Sequence, residues 1–230
     1  MKKFLLIIST LMFLCALWLL TKPSMSEIGI TYAQPAEAGQ TLTVTWFGVT
    51  TLLIDDGVTQ ILIDGYFSRP GLLDIALERM IEPDLAAIKG MLSRFEINRL
   101  EAVIPVHSHF DHALDSAEIA KQTGAQLMGS TTSANIAAGS RLPISQIKVI
   151  ETGTTYPVGA FEVNFYPSQH APLATNSAIS GTITEPLTLP APYTAWKLGQ
   201  AYTLVITHPN GRMLIQGSAG FVPDALAGIK

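Results

Sequence analysis

The sequence predicts an α/β domain, and three segments carry that prediction. Residues 101–106 form a short, mostly apolar run typical of a buried strand, and residues 113–123 follow it with helical character. Residues 83–95 place apolar side chains at helical spacing. Strands that alternate with amphipathic helices are typical of α/β proteins. The hydrophobic content of 48% is ample for the core of one domain.

The first half of this domain is predicted to begin with strands and continue with helices. Alternating apolar residues, interrupted by an Asp55-Asp56-Gly57 turn, indicate a strand followed by a hairpin. Apolar residues three and four positions apart then indicate two amphipathic helices. The predicted strands cover residues 41–47, 50–54 and 60–64, and the predicted helices cover residues 72–80 and 83–95.

The second half is predicted to contain further strands with one more helix. After strand 101–106 and helix 113–123, we expect a helix over residues 130–138 with a Ser or Thr cap. Residues 171–199 are rich in proline and predict an irregular loop. The remaining strands are predicted at residues 126–128, 147–150, 154–158 and 161–170, with a hairpin over residues 201–207 and 212–216.

The N-terminus has the pattern of a membrane-targeting segment. Met1-Lys2-Lys3 is followed by 17 residues without a charge, Phe4–Leu20. This length is long for a signal-peptide core and slightly short for a spanning helix, so residues 1–26 are predicted to be a signal peptide or a membrane anchor. Residues 27–40 are predicted to be a linker, and residues 41–230 the domain. The predicted location is exported, either periplasmic or anchored outside the cytoplasm.

The charge of the chain excludes one class of partner. The formal net charge is −4, and no cluster of lysine and arginine occurs. A protein that binds nucleic acid needs such clusters to contact phosphates. We therefore expect a small-molecule substrate, no nucleic acid, and membrane contact only through an uncleaved N-terminal segment; the sequence leaves the oligomeric state open.

Residues 107–112 concentrate the chemistry of the chain, because they contain three of its five histidines beside one aspartate. This box lies on the predicted loop between a strand and a helix. In an extended backbone His107, His109 and Asp111 face the same way, while His112 faces another. Imidazole and carboxylate ligands suit zinc best, with iron or manganese as alternatives. One or two metal ions are expected.

Together with Trp46-Phe47-Gly48, Leu62-Ile63-Asp64-Gly65 and His170, this box resembles the metallo-β-lactamase fold hydrolases over residues 41–222. The resemblance implies a four-layer αββα sandwich with a metal site at one edge of its two sheets. It also implies two sets of metal ligands. Those of the first site are His107, His109 and His170, and those of the second site include Asp111 and His112.

Three other residues are given roles away from direct metal binding. The resemblance implies that Asp64 supports the metal loop. Asp115 is interpreted as an acid at the start of a helix. His208 is assigned to a hairpin turn, because an extended strand of about seven residues between this turn and Ser218 places it on the order of 20 Å from the metal edge.

The chain departs from the family pattern near its C-terminus. Family members often have an aspartate that bridges both metals where this chain has Ser218, and no histidine follows His208 before the last residue, Lys230. The resemblance therefore implies a sandwich that lacks its C-terminal part and has an exposed edge in the second sheet.

The function predicted from these residues is hydrolysis by a metal-bound hydroxide, with zinc as the expected metal. Asp111 is the predicted catalytic residue, which orients or deprotonates the water, and His112 holds a second metal or contacts the leaving group. Esters, lactones, amides and phosphodiesters are all compatible substrates. The loop over residues 172–198 is placed to cover the site, although its Tyr193 and Trp196 equally fit a core role.

Two other functions remain open. A membrane-tethered metal-binding protein without catalysis fits the departures at Ser218 and beyond. A β-lactamase is less favoured, because the region from Trp46 to Pro70 resembles the broad hydrolase group more closely.

Overall fold

The computed structural model describes residues 42–172, 177–217, 219–227 and 229, together with Thr10 and Phe13. The chain divides into two compact units, Met1–Gln34 and Pro35–Lys230, and every element given below belongs to the second. The predicted leader and linker, except Thr10 and Phe13, and Ser218 lie outside the described residues, so the predictions for them stay predictions. None of the described helices has the length and apolar character needed to cross a membrane.

The first sheet has six strands in the order β1-β2-β3-β5-β6-β7. Neighbours are antiparallel from β1 to β3, and β3, β5, β6 and β7 are parallel. These strands are β1 Thr43–Trp46, β2 Leu52–Asp55, β3 Gln60–Ile63, β5 Leu100–Ile104, β6 Gln126–Gly129 and β7 Ile147–Val149. Two short strands, β4 Met80–Ile81 and β10 Ala191–Pro192, pair with each other outside this sheet.

The second sheet is antiparallel throughout, with the order β12-β11-β9-β13, and β8 also pairs with β9. Its strands are β8 Thr155–Val158, β9 Phe161–His170, β11 Ala201–His208, β12 Gly211–Gln216 and β13 Ala219–Phe221. Within the described part of the chain β12 pairs only with β11, and its Leu214 is exposed. The exposed edge that the resemblance implies for this sheet stays a prediction.

The helices are α1 Leu72–Ala76, α2 Leu85–Arg94, α3 Phe110–Ala113, α4 Ser116–Thr123 and α5 Thr131–Gly139. The predictions for α2 and α5 are confirmed, and each has a side-chain cap. Asp84 accepts hydrogen bonds from the N–H groups at the start of α2, and Ser130 accepts one from Ser133 N–H in α5. The helix predicted over residues 72–80 ends at Ala76, because Met80 pairs with β10 instead.

The two sheets pack face to face over an apolar cluster to which both contribute. Ile61 and Ile104 of the first sheet and Phe165 and Leu204 of the second are fully buried there, and the cluster contains no helical residue. A second cluster lies between the first sheet and helices α2, α4 and α5. The predicted α/β class with two stacked sheets is therefore confirmed. Three of the four layers occur among the described residues; a helical layer on the second sheet is not among them.

The parallel strands of the first sheet direct their carboxyl ends to one edge. Asp64 follows β3, Pro105 follows β5, Ser130 follows β6 and Ile150 follows β7. In open α/β sheets this edge is where ligands bind. Here it meets the second sheet, since the N–H of Tyr202 in β11 donates to the carbonyl of Val106 over 2.8 Å.

His208 lies at the opposite end of the second sheet, as predicted. It ends β11 and pairs with Gly211 across the hairpin turn. Its Nε2 lies 3.3 Å from Oδ2 of Asp56, and its ring stacks on Phe161. Burial raises the pKa of Asp56, but the N–H groups of Thr59 and Val58 and the His208 ring outweigh it, so that the net pKa is lowered.

Asp115 precedes α4, as predicted, but its carboxylate does not cap that helix. It accepts hydrogen bonds from the N–H groups of Phe67 and Ser68 at 2.6 and 2.7 Å and from Ser68 Oγ at 2.5 Å. The side chain is fully buried. Burial raises the pKa of Asp115 to about 6, against the lowering effect of these hydrogen bonds. Asp115 thus anchors the segment that follows β3.

Replacing Asp115 with asparagine tests this anchor, because Asn keeps an acceptor oxygen and cannot ionise. A carboxyl whose pKa rises from 3.8 to about 6 on folding contributes stability below about pH 4 and loses it as the pH rises through 6. The free energy of unfolding of the wild type relative to Asp115→Asn should therefore fall by about 3 kcal/mol between about pH 4 and about pH 7. Urea denaturation at several pH values measures this. A difference that does not change with pH would contradict the buried placement.

Candidate metal site

The loop after β5 positions His107 and His109. Its backbone is held by Asp64, whose Oδ1 accepts the N–H of Val106 at 2.8 Å. Asp64 has a left-handed backbone with φ of 56°, a conformation that non-glycine residues adopt mainly where surrounding structure enforces it. The supporting position that the resemblance implies for Asp64 is therefore what the structure shows.

Helix α3 begins at Phe110, directly after His109. The extended backbone predicted for residues 107–111 is therefore wrong beyond His109. Asp111 and His112 lie on a helical turn, where neighbouring side chains point about 100° apart rather than to opposite faces. The period-two argument that placed Asp111 on the same side as His107 and His109 does not hold.

Three histidines converge at this edge. One ring nitrogen from each of His107, His109 and His170 lies within 4.8 Å of the other two. The ring centroids are 4.7 to 4.9 Å apart. His170 is the last residue of β9, so the junction of the two sheets brings it to the loop after β5. The structure thus joins the three residues that the resemblance assigns to the first metal site.

In two of these rings, the nitrogen that does not face the other histidines, here called the outer nitrogen, is held by a hydrogen bond to a backbone carbonyl. His109 Nε2 lies 3.2 Å from the carbonyl of Ile179, and His170 Nδ1 lies 2.8 Å from the carbonyl of Ala171. A carbonyl oxygen only accepts, so each of these nitrogens carries the proton. The lone pairs of His109 Nδ1 and His170 Nε2 are left for a metal, as is usual for zinc-binding histidines.

One pair of ring nitrogens has the spacing of two ligands on one metal ion. His107 Nε2 and His109 Nδ1 are 3.1 Å apart. Two nitrogen ligands on a tetrahedral zinc ion, each bonded at about 2.0–2.1 Å, are about 3.3 Å apart. Burial lowers the pKa of His107, and the neighbouring imidazoles His112, His109 and His170 lower it further. Burial also lowers the pKa of His109. Neutral imidazole is the form that binds metal.

His112 contacts carboxylates as well as the cluster, since its ring centroid lies 3.8 Å from that of His107. Its Nδ1 lies 2.7 Å from Asp64 Oδ2, and its Nε2 lies 3.7 Å from Asp111 Oδ2. Burial lowers the pKa of His112, but Asp64 outweighs this effect and the net pKa is raised. Among the residues that the structure describes, the cluster includes neither Asp111 nor His112. Their assignment to a second metal site stays a prediction.

The irregular segment before β11 packs against the site, as the sequence predicts. The carbonyl of Leu198 accepts the N–H of Ser108, and Leu198 N–H donates to Ile179, whose carbonyl holds His109. Trp196 is fully buried and Tyr193 partly buried in an apolar cluster with residues of α3 and α5. These aromatics therefore have the core role that the sequence left open.

Sequence reasoning missed two polar residues near the histidines. Ser108 lies between His107 and His109 and is fully buried. Its Oγ lies 2.8 Å from Ser133 Oγ and 3.3 Å from Ser130 Oγ. Thr50 Oγ1 lies 3.1 Å from His112 Nδ1. Alternation of side chains in an extended backbone would turn Ser108 away from its two histidine neighbours, but nothing in the sequence identifies its partners.

Comparisons with known proteins agree with this site. No family model matches the chain. A UPF0173 metal-dependent hydrolase of Pyrobaculum islandicum is 28% identical over 140 residues, which cover 61% of this chain and 55% of the relative. A second, from Anaeromyxobacter sp. strain K, is 32% identical over 97 residues, 42% of this chain and 30% of the relative. The chain spans about half the length of the first of these relatives.

A comparison with solved structures finds similarity to two metal-dependent enzymes. Igni18, a metallo hydrolase from Ignicoccus hospitalis, is 17% identical with a TM-score of 0.48, covering 80% of this chain and 63% of that one. A Cronobacter sakazakii metallo-β-lactamase variant is 14% identical with a TM-score of 0.45, covering 80% and 62%. The sequence similarity to metal-dependent hydrolases, together with the stacked sheets and the three converging histidines, confirms the resemblance to the metallo-β-lactamase fold hydrolases.

Proposed function

We propose that this protein is a zinc-dependent hydrolase whose metal is held by His107, His109 and His170. The observation that carries the proposal is the convergence of three imidazoles, two of which have their outer nitrogens bound to backbone carbonyls. The relatives named as metal-dependent hydrolases support it. Iron and manganese are the alternative metals.

The three histidines would hold the zinc ion, which would supply Lewis-acid activation of water and of the scissile bond. The chain's own residues orient the reactants. Ile179 and Ala171 fix the rings of His109 and His170 through their carbonyls. Asp111, whose side chain is 38% exposed, stands at the rim of the site, where it accepts a proton from the attacking water.

His112 has a positioning role in this proposal. Asp64 holds its Nδ1, so that its Nε2 points toward Asp111. From there His112 orients Asp111 or donates a hydrogen bond to the leaving group. A second metal bound by Asp111 and His112 is the alternative assignment for the same two residues.

The substrate is proposed to be a small molecule with a hydrolysable ester, lactone, amide or phosphodiester bond. A β-lactam is the less favoured substrate. A membrane-tethered metal-binding protein without catalysis is the second candidate function. The observation that favours it is Ser218, which stands where family members often have the aspartate that bridges two metals.

The metal site is tested by the zinc content of full-length variants, measured by atomic emission after dialysis. We expect about one zinc ion per chain in the wild type and almost none in the His107→Ala, His109→Ala double variant or in His170→Ala. His208→Gln is the matched control, because this histidine lies at the other end of β11. Zinc retained by His170→Ala at the wild-type level would contradict the site.

The role of Asp111 is tested by Asp111→Asn with 4-nitrophenyl acetate, a lactone, bis(4-nitrophenyl) phosphate and nitrocefin as substrates. Loss of a proton acceptor should lower kcat about 10²–10⁴-fold while one zinc ion remains bound. Asp74→Asn serves as the control, since Asp74 pairs with Arg79 on the surface. A fall from two bound metals to one in Asp111→Asn would favour the second-metal assignment, and unchanged kcat would contradict both.

We also propose export through residues 1–26, on the basis of their basic start and apolar run. Fractionation of bacterial cells that express the full chain should recover the protein outside the cytoplasm, in the periplasm or in the membrane. A variant that lacks residues 2–26 should remain in the cytoplasm. Cytoplasmic recovery of both proteins would contradict export.

A further inference from the structure

Two clefts lie beside the candidate metal site, and one of the three histidines lines the smaller of them. His170 lines a cleft of about 340 Å³ that also includes Gly199 and Gln200. The same two residues line a second cleft of about 700 Å³, formed beyond the carboxyl ends of β6 and β7. The two clefts therefore have two lining residues in common, and the larger one lies at the edge where α/β sheets bind ligands.

The larger cleft has many serine and threonine residues in its lining, and we call this cleft the hydroxyl cleft. Six of its residues carry an aliphatic hydroxyl group: Ser130, Thr131, Thr132, Thr152, Thr182 and Thr184. The amide of Gln200 adds a further donor and acceptor. Within the described part of the chain Glu151 is the one charged lining residue, and no lysine or arginine is among them.

The walls of the hydroxyl cleft are fixed by hydrogen bonds. Thr132 Oγ1 accepts the N–H of Ile183 at 3.2 Å, and Asn135 Nδ2 donates to the Ile183 carbonyl at 2.8 Å. Gly199 has a φ of 64°, and a Cβ there would lie 2.7 Å from Thr132 Cβ, so only glycine allows this close approach. A preformed cleft reduces the ordering cost of binding.

The hydroxyl cleft is also tied directly to the metal loop. Ser108 lies between His107 and His109. Its hydroxyl group is within hydrogen-bond distance of those of Ser130, which lines the cleft, and Ser133, in the first turn of α5. The cleft wall is therefore hydrogen-bonded to the loop that carries two of the three histidines. This is the arrangement expected of a specificity pocket beside a reactive centre.

We propose that the hydroxyl cleft binds an uncharged substituent of the substrate that carries amide or hydroxyl groups. This inference rests on the proposed hydrolase function, because only that function makes the ligand of the cleft a part of the substrate. Neutral polar groups can hydrogen-bond to the lining hydroxyls that the cleft wall does not already use, whereas an apolar group would cover those hydroxyls without offering a partner. An anion would meet Glu151 and no cation, and Ser130 already caps the start of α5 by accepting the Ser133 N–H.

Binding is tested by NMR on the metal-free full-length protein, with N-acetylglycinamide as the neutral probe and N-acetylglycine as the anionic one. We expect amide shifts at Thr131, Thr132, Gly199 and Gln200 with the neutral probe, and about tenfold weaker binding of the anion. Glu151→Lys should remove or reverse this preference. Glu162→Lys, on β9 outside the cleft lining, is the matched control and should preserve it.

Equal affinity for the two probes, shifts away from these residues, or no binding of the neutral probe would overturn the proposal. A second measurement uses the zinc-loaded protein and 4-nitrophenyl esters of N-acetylglycine and of succinic acid, with the acetate as baseline. The ratio of kcat/KM for the neutral ester to that for the anionic ester should exceed one and fall in Glu151→Lys. Because the NMR experiment needs neither metal nor turnover, absence of zinc binding or hydrolysis would overturn the hydrolase proposal separately.

Discussion

Val106 is the point on which the placement of the site depends. Its N–H donates to Asp64 at the end of β3, and its carbonyl accepts from Tyr202 at the start of β11. One peptide segment therefore joins the two sheets at their common edge. Because β9 runs antiparallel beside β11, this junction brings the end of β9 next to the loop after β5. The contact between the two sheets therefore brings His170 to His107 and His109.

The same junction buries the site, and burial favours the neutral form of its histidine rings. His107 is 1% exposed and His109 is 3% exposed, so a charge on either ring would lose most of its hydration. Burial keeps these rings neutral, with lone pairs available for a cation. His112, equally buried, differs because Asp64 faces it at hydrogen-bond distance. His107 and His109 are therefore available as neutral metal ligands, whereas His112 is hydrogen-bonded to Asp64.

Much of this arrangement could be predicted from the sequence. Helix α2 and helix α5 follow from apolar spacing and cap residues, and the concentration of histidines at residues 107–112 identifies the loop after β5. These features are local, and local patterns are what side-chain periodicity records. The position of His170 required the family resemblance, since nothing local in the sequence relates it to a loop some sixty residues earlier.

The features that could not be predicted depend on tertiary contacts. The helical turn that begins at Phe110 changes the direction of the Asp111 side chain, and the period-two pattern of a strand does not predict this turn. Helix α1 ends early because β4 pairs with β10, more than a hundred residues later in the chain. Asp115 has the position of a helix-start acid, yet it binds Phe67 and Ser68 because Gly65 lets the segment after β3 approach α4, where a Cβ would lie 2.9 Å from Ser116.

The coordination of the metal itself is the most direct test of this account. X-ray absorption at the zinc K-edge of the full-length protein should show three imidazole ligands at about 2.0–2.1 Å and one further light-atom ligand. In His170→Ala the imidazole scattering should fall to two rings or the zinc should be lost. A wild-type spectrum with fewer than three imidazoles, or identical spectra for the two proteins, would contradict the convergence of histidines from both sheets on one metal.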